Sequence, residues 1–381
     1  MKRNIFYIIL FFIVIIITLL SAELISRTYL FALDKIPQLA VCSISESFET
    51  EGEFFGKYDV ISKMENDPVL GRIPKRHDTG PGYEINGQHF RYGEDITPDP
   101  AENETRVFIT GGSSAWGAGV NMDQLYSTVA EKYIDELLPG EKVRFISAAI
   151  GGIVSTLERY WLESHVLKFH PDYVIMYSGW NDSYAAYSGD RQFSDHLARK
   201  YNYTHSWKKR PDIGKLYPDI NPDDYDLKSL YFIDLFQRNM EVNGVIKSHI
   251  ADERIPVKII LENNAAISKL LKPLGIEFIY VLQPTLFLTG KELTVCEKDV
   301  MKFFAKGYQL FPDYNARIYE ILRDRLPLHA EENHYRYVDA DNIIAGSDEG
   351  IFFDQVHMGE RGNRLVSEEM ARLIHRLETA H

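Results

Sequence analysis

Residues 105–119 read Thr-Arg-Val-Phe-Ile-Thr-Gly-Gly-Ser-Ser-Ala-Trp-Gly-Ala-Gly. The 106–110 run is the kind of short apolar segment that a strand buried on both faces requires, and it stops abruptly in a turn of small residues. Four further runs repeat the pattern at 143–148, 173–177, 276–282 and 337–338. Between and after them, helical periodicity is expected near 124–138, 155–168, 265–271, 300–325 and 360–379. Strand alternating with helix predicts an α/β fold, a three-layer α/β/α sandwich with a mostly parallel sheet.

Upstream of this region, residues 5–20 (IFYIILFFIVIIITLL) are almost wholly apolar and follow Lys2 and Arg3. A helix of roughly 17–25 such residues spans a bilayer. The basic flank predicts a cytoplasmic N-terminus and an extracytoplasmic remainder. The segment reads as an uncleaved N-terminal transmembrane anchor over 1–34 because Leu20-Ser21-Ala22 fits a cleavage site poorly and apolar residues resume at Leu24 and Ile25. Secretion after signal cleavage is the alternative. Residues 35–104, with many turn signals, read as an irregular collar, and 105–381 as the main domain.

From 183 to about 255 the rhythm breaks. No buried strand is visible there, but Tyr, Asp and Pro are frequent, and so long a connection reads as an insertion or lid. Its aromatic residues include Trp207, a candidate for substrate stacking. The net charge of −13, from 42 basic and 55 acidic residues, disfavours a nucleic-acid partner. Cys42 and Cys296 are the two cysteines, too few and too far apart for a cysteine metal site. They are candidates for one disulfide under oxidising conditions.

In parallel α/β sheets ligands bind beyond the carboxyl ends of the strands. Gly111-Gly112-Ser113-Ser114 follows the first strand, Ile150-Gly151-Gly152 the second and Ser178-Gly179-Trp180-Asn181-Asp182 the third. They offer a hydroxyl, backbone N–H groups and a side-chain amide, the parts needed to form and stabilise an oxyanion. Near the C-terminus Asp354-Gln355-Val356-His357 places a carboxylate and an imidazole three residues apart, on one side of a helical turn if that turn is helical. Each motif alone is ordinary turn material. Together they supply a nucleophile, its base, the base's orienting acid and the oxyanion donors.

These blocks resemble those of the SGNH hydrolases, the GDSL esterase/lipase superfamily, and most closely its membrane-anchored bacterial members. Gly111-Gly112-Ser113-Ser114 is similar to the first block with Gly in place of Asp, and Ser147 to Gly152 is similar to the second, which more often begins with Asn. Gly179-Trp180-Asn181-Asp182 and Asp354-Gln355-Val356-His357 match the third and last, and Asn86 to Arg91 resembles the segment that precedes block one in the anchored members. The resemblance implies a flavodoxin-like sheet and a triad of Ser113, Asp354 and His357. It also implies oxyanion donors from Ser113, Gly152 and Asn181, with no metal and no organic cofactor. The expected activity is ester hydrolysis on an acylated, cell-surface or exopolysaccharide glycan. A lipid ester or thioester, acyl transfer to a sugar hydroxyl, and a non-catalytic glycan-binding or assembly role are the alternatives. The sequence leaves the oligomeric state open.

Overall fold

The computed structural model describes residues 63–67, 70–80, 82–188, 252–307 and 311–380, together with Ser21. The expected anchor at 5–20, Cys42, and residues 189–251 with Trp207 lie outside the described residues. Among the described residues no helix is long and apolar enough to cross a membrane.

Two small antiparallel ribbons open the described chain: Met64–Asp67 (β1) with Gly71–Pro74 (β2), and Thr79–Gly80 (β3) with Tyr83–Glu84 (β4). The five apolar runs follow as Glu104–Gly111 (β5), Lys142–Ser147 (β6), Tyr173–Ser178 (β7), Glu277–Leu282 (β8) and Arg336–Asp339 (β9). They form one sheet in the order β6-β5-β7-β8-β9, every pair parallel. Counted from β5, this is the 2-1-3-4-5 order of flavodoxin-like sheets, whose direction of winding reverses between β5 and β7. The crevice beyond the carboxyl ends of those two strands is where such sheets place their ligands.

The helices are Ser113–Trp116 (α1), Tyr126–Leu137 (α2), Ser155–Ser164 (α3), Trp180–Ser188 (α4), Arg254–Leu271 (α5), Val295–Gly307 (α6), Phe311–Glu332 (α7), Ala340–Ile344 (α8) and Glu360–Glu378 (α9). In α9 the buried residues Val366, Met370, Ala371, Ile374 and Leu377 recur at helical spacing and form one apolar stripe. That stripe packs with Ala130 and Ile134 of α2 against Val107, Ile109, Ile175 and Ile279 on one face of the sheet. Alternate strand residues point the other way. Phe108 meets Phe90 and Phe169 there, and Phe90 in turn meets Trp161 of α3, with α5 and α7 completing that layer.

Several boundaries differ from the sequence expectation. The helix expected from 265 begins at Arg254, eleven residues earlier, with Pro256 accommodated in its first turn. The 300–325 segment is two helices, α6 and α7, and Pro312 stands at the second position of α7. The 155–168 helix stops at Ser164 and tightens into a 3₁₀ turn over Val166–Phe169. Residues 183–188 belong to α4 and 254–255 to α5, so the expected insertion is narrower at both ends. Cys296, buried at the start of α6, is disulfide-bonded.

Part of the expected collar is built into the α/β unit. Phe90 is fully buried among Phe108, Trp161 and Phe169. Arg91, 1% exposed, donates to the carbonyls of Trp116, Gly117, Val120 and Gly82 at 2.6–2.8 Å. Its guanidinium lies 4.2 Å from the centre of the Trp116 ring. Buried guanidinium groups need such acceptors, and here they come from the end of α1 and the loop after it, with Gly82 between β3 and β4.

Candidate active site

β5 delivers the chain to Gly111, whose φ of +147° few side chains adopt. A Cβ there would lie 2.2 Å from the Tyr177 carbonyl oxygen on β7, so glycine is what lets the two strands end this close together. Gly112 is restricted for a different reason: a Cβ there would meet the Asn181 side-chain nitrogen at 2.2 Å. After these two glycines the chain enters α1 with Ser113 as its first residue. The Ser113 N–H stands in the first turn, where backbone donors have no intrahelical acceptor.

His357 Nε2 lies 2.7 Å from Ser113 Oγ, and His357 Nδ1 lies 2.6 Å from Asp354 Oδ2. The structure thus brings together three residues drawn from positions 113, 354 and 357. Asp354 Oδ1 also accepts the backbone N–H groups of Val356 and His357 at 2.8 and 2.7 Å. Burial alone would raise this carboxyl, but the facing His357 and these three donors outweigh it and hold Asp354 below its ordinary value. An ionised carboxylate only accepts, so the Nδ1 proton of His357 is donated to it. Nε2 is then left as the acceptor of the Ser113 hydroxyl proton.

Asp354 and His357 do not share a helical turn, as their spacing had suggested. They lie in a bend closed by a bridge between Phe352 and Met358, where the carboxylate's own bonds to the next backbone N–H groups replace helical ones. Glu297 of α6 fixes the approach to this bend by accepting the N–H groups of Ile351 and Phe352 at 2.8 and 3.0 Å. Its other oxygen receives Lys291 Nζ at 2.7 Å in a fully buried ion pair. On the far side, Leu286 N–H donates to the Gln355 carbonyl at 3.0 Å.

Beyond β6, the N–H groups of Ala148 and Ile150 donate to the carbonyls of Ile109 and Gly111, at 2.8 and 2.9 Å. This ties the second loop to the end of β5, although Ser147 Oγ itself has no partner among the described residues. Gly152, at φ +76°, and Asn181 line a common cavity of about 280 Å³, whereas a Cβ on Gly151 would meet only open space. Asn181 Nδ2 donates to the Ile153 carbonyl at 2.8 Å. Asp182 completes the brace: its carboxylate accepts Ser155 N–H at 3.0 Å and Ser155 Oγ–H at 2.7 Å. Asn263 of α5 donates to the Ser155 and Thr156 hydroxyls at 3.0 and 2.8 Å.

The acids on this side behave unlike Asp354. Burial pushes Asp182 up to about 6, because the donors from Ser155 only partly offset it. Burial raises Glu158 well above its ordinary value, with Asp182 nearby adding to the effect and the Ser178 hydroxyl, 2.6 Å away, opposing it.

Ser113, Gly152, Asn181, Asp354 and His357 therefore gather at the switch point of the sheet, while Trp207 lies outside the described residues. Sequence reading passed over Arg91, Ser155, Asp182 and Glu297 as supports of this site. Each acts on residues 25 or more positions away, and local spacing carries no signal for that. Among the described residues no group of three or more His, Cys, Asp or Glu side chains could hold a metal ion.

No protein-family model and no curated protein matches the chain. Solved structures do. An acetylxylan esterase from Geobacillus stearothermophilus is 13% identical over 72% of this chain and 96% of its own, with a TM-score of 0.38. A GDSL-like lipase from Bacteroides thetaiotaomicron is also 13% identical, over 73% of this chain and 91% of its own, with a TM-score of 0.36. The arrangement of Ser113, His357 and Asp354, rather than this likeness, carries the functional reading.

Proposed function

We propose that the protein is a serine esterase of the SGNH type that removes acyl groups from an extracytoplasmic glycan. The observation that carries the reading is the unbroken hydrogen-bonded chain Ser113 Oγ, His357, Asp354, with spacings of 2.7 and 2.6 Å. Hydroxyl, imidazole and carboxylate in this order are what nucleophilic acyl transfer requires.

In this mechanism Ser113 Oγ attacks the ester carbonyl carbon while its proton passes to His357 Nε2. The carbonyl π electrons move to oxygen, and the N–H groups of Ser113 and Gly152 with the Asn181 amide stabilise that oxyanion. Collapse of the intermediate breaks the bond to the alcohol oxygen, which takes the proton from Nε2 as it leaves. Water then attacks the acyl-serine with His357 again as base, and releases the carboxylic acid and free Ser113. Asp354 orients the imidazole and stabilises its charged form throughout.

The extracytoplasmic site follows from the apolar segment 5–20 behind Lys2 and Arg3, and the glycan from the aromatic residues of the 183–255 region. Release of acid from a panel of acylated polysaccharides, with the Ser113→Ala variant as control, tests the reading. Turnover of at least one polysaccharide by the native protein and none by the variant is the expected result. Turnover that survives the substitution, or none on any ester, rejects it.

A further inference from the structure

The cavity beside Gly152 and Asn181 has a composition that the proposed reaction does not require. Its walls include Trp180, Phe287 and Phe311, whose ring centres lie 5.1–6.0 Å from one another, with Val154 and Ala185 supplying aliphatic surface. Trp180, Val154 and Ala185 are at most 6% exposed. Among the described residues, the polar side chains on the wall apart from Asn181 are the Gln355 amide and Tyr184, which is 38% exposed.

The direction of the cavity follows from the chemistry. The carbon attacked by Ser113 carries three other substituents in the tetrahedral intermediate. One is the oxyanion, directed at Gly152 and Asn181. Another is the leaving oxygen, which must face His357 Nε2 to receive its proton. The third is the acyl carbon, which takes the remaining direction. Both donors line the cavity, and Ser113, His357 and Asp354 do not. The cavity thus adjoins the donors, with Gln355, the residue after Asp354, on its wall.

Resting on the esterase reading, we infer that this cavity is an acyl pocket, and that it takes an unbranched acyl chain of about four to eight carbons rather than acetyl. A single methyl group would leave most of about 280 Å³ unfilled, without contacts to the surrounding rings. A sugar ring is a poor occupant because its hydroxyls need several partners, and with Asn181 engaged at the oxyanion few polar groups remain. The Trp180, Phe287 and Phe311 rings suit a hydrocarbon chain.

The test is kcat/KM of the full chain on nitrophenyl acetate, butanoate, hexanoate and octanoate, followed by the same series on Ala185→Leu, which fills part of the pocket. The native protein should prefer hexanoate over acetate by about tenfold or more, beneath a ceiling of about fourfold per buried methylene. In Ala185→Leu the hexanoate-to-acetate ratio should fall by about tenfold. Val154→Leu, a smaller change in the same wall, should lower the ratio in the same direction and serves if Ala185→Leu does not fold. A native preference for acetate, or a ratio that neither folded variant changes, overturns the acyl pocket and leaves the esterase reading standing. No turnover at any chain length, with Ser113 unlabelled by a fluorophosphonate, overturns both.

Discussion

Two arms converge on the crevice between β5 and β7, and the pKa values of their buried acids are shifted in opposite directions. On one arm, Asp354 faces His357 and accepts two backbone N–H groups, and its pKa lies below the ordinary value. On the other, Asp182 accepts from the backbone and hydroxyl of Ser155 and from its own backbone N–H, and burial pushes it up to about 6. Both carboxyls are 2% exposed. Burial is the same, so the partners decide: an imidazole able to carry positive charge stabilises a buried carboxylate more than a hydroxyl does. The Asp354 arm holds the His357 imidazole against Ser113, and the Asp182 arm ties the start of α3 to α4.

The sharpest separation of the arms comes from removing the nucleophile. Ser113→Ala should lower kcat by about 10³-fold or more with the melting temperature within a few degrees of native, because no other hydroxyl lies in hydrogen-bond reach of His357 Nε2 among the described residues. A stopped assay on nitrophenyl butanoate and a thermal melt check both parts.

Next in size is the donor arm. Asn181→Ala should cost about 10²- to 10³-fold in kcat with little change in KM, since in the proposed mechanism its amide meets charge that develops only in the transition state. A loss confined to KM would assign Asn181 to ground-state binding and erase the distinction between the arms.

Asp182 gives the contrast a pH signature. Its folded pKa of about 6 lies above the ordinary 3.8, so the folded state holds this proton more tightly than the unfolded chain. Its contribution therefore favours folding at low pH, is lost as pH rises from about 4 to about 6, and leaves a cost of about 3 kcal/mol above that. Asp354 has the opposite sign: its contribution is present above the unfolded carboxylate's pKa and lost as pH falls through the lower folded value. Asp182→Asn should thus gain in melting temperature relative to the native protein between pH 4.5 and 7. Parallel melting curves across that interval would contradict the contrast.

The smallest effect is expected at Ser114. Its Oγ reaches only the Val356 carbonyl, at 3.5 Å, so Ser114→Ala should leave kcat/KM within about twofold of native.

The sheet was legible because strands buried on both faces read as apolar runs; Ser113, Gly152 and Asn181 were legible because they stand in the turns after those strands, and Asp354 and His357 through their three-residue spacing alone. The start of α5 was not legible: Pro256 reads as a helix breaker, and the polar residues Asn263, Asn264 and Ser268 interrupt the face that buries Ile260, Ile267 and Leu271. Helix α4 was hidden for another reason. Gly179-Trp180-Asn181-Asp182 has turn composition, yet Asp182 also carries its carboxylate to Ser155, 27 residues earlier, a bond that local spacing does not signal. The Arg91 and Glu297 contacts were hidden in the same way, since each satisfies backbone groups far along the chain.

The central claim is that His357 activates Ser113 and not its neighbour. Labelling the folded protein with a fluorophosphonate, followed by peptide mass mapping, tests it most directly. One adduct per chain is expected, on Ser113, absent in Ser113→Ala, retained in Ser114→Ala and formed far more slowly in His357→Ala. An adduct on Ser114, or labelling of Ser113 at an unchanged rate without His357, would contradict it.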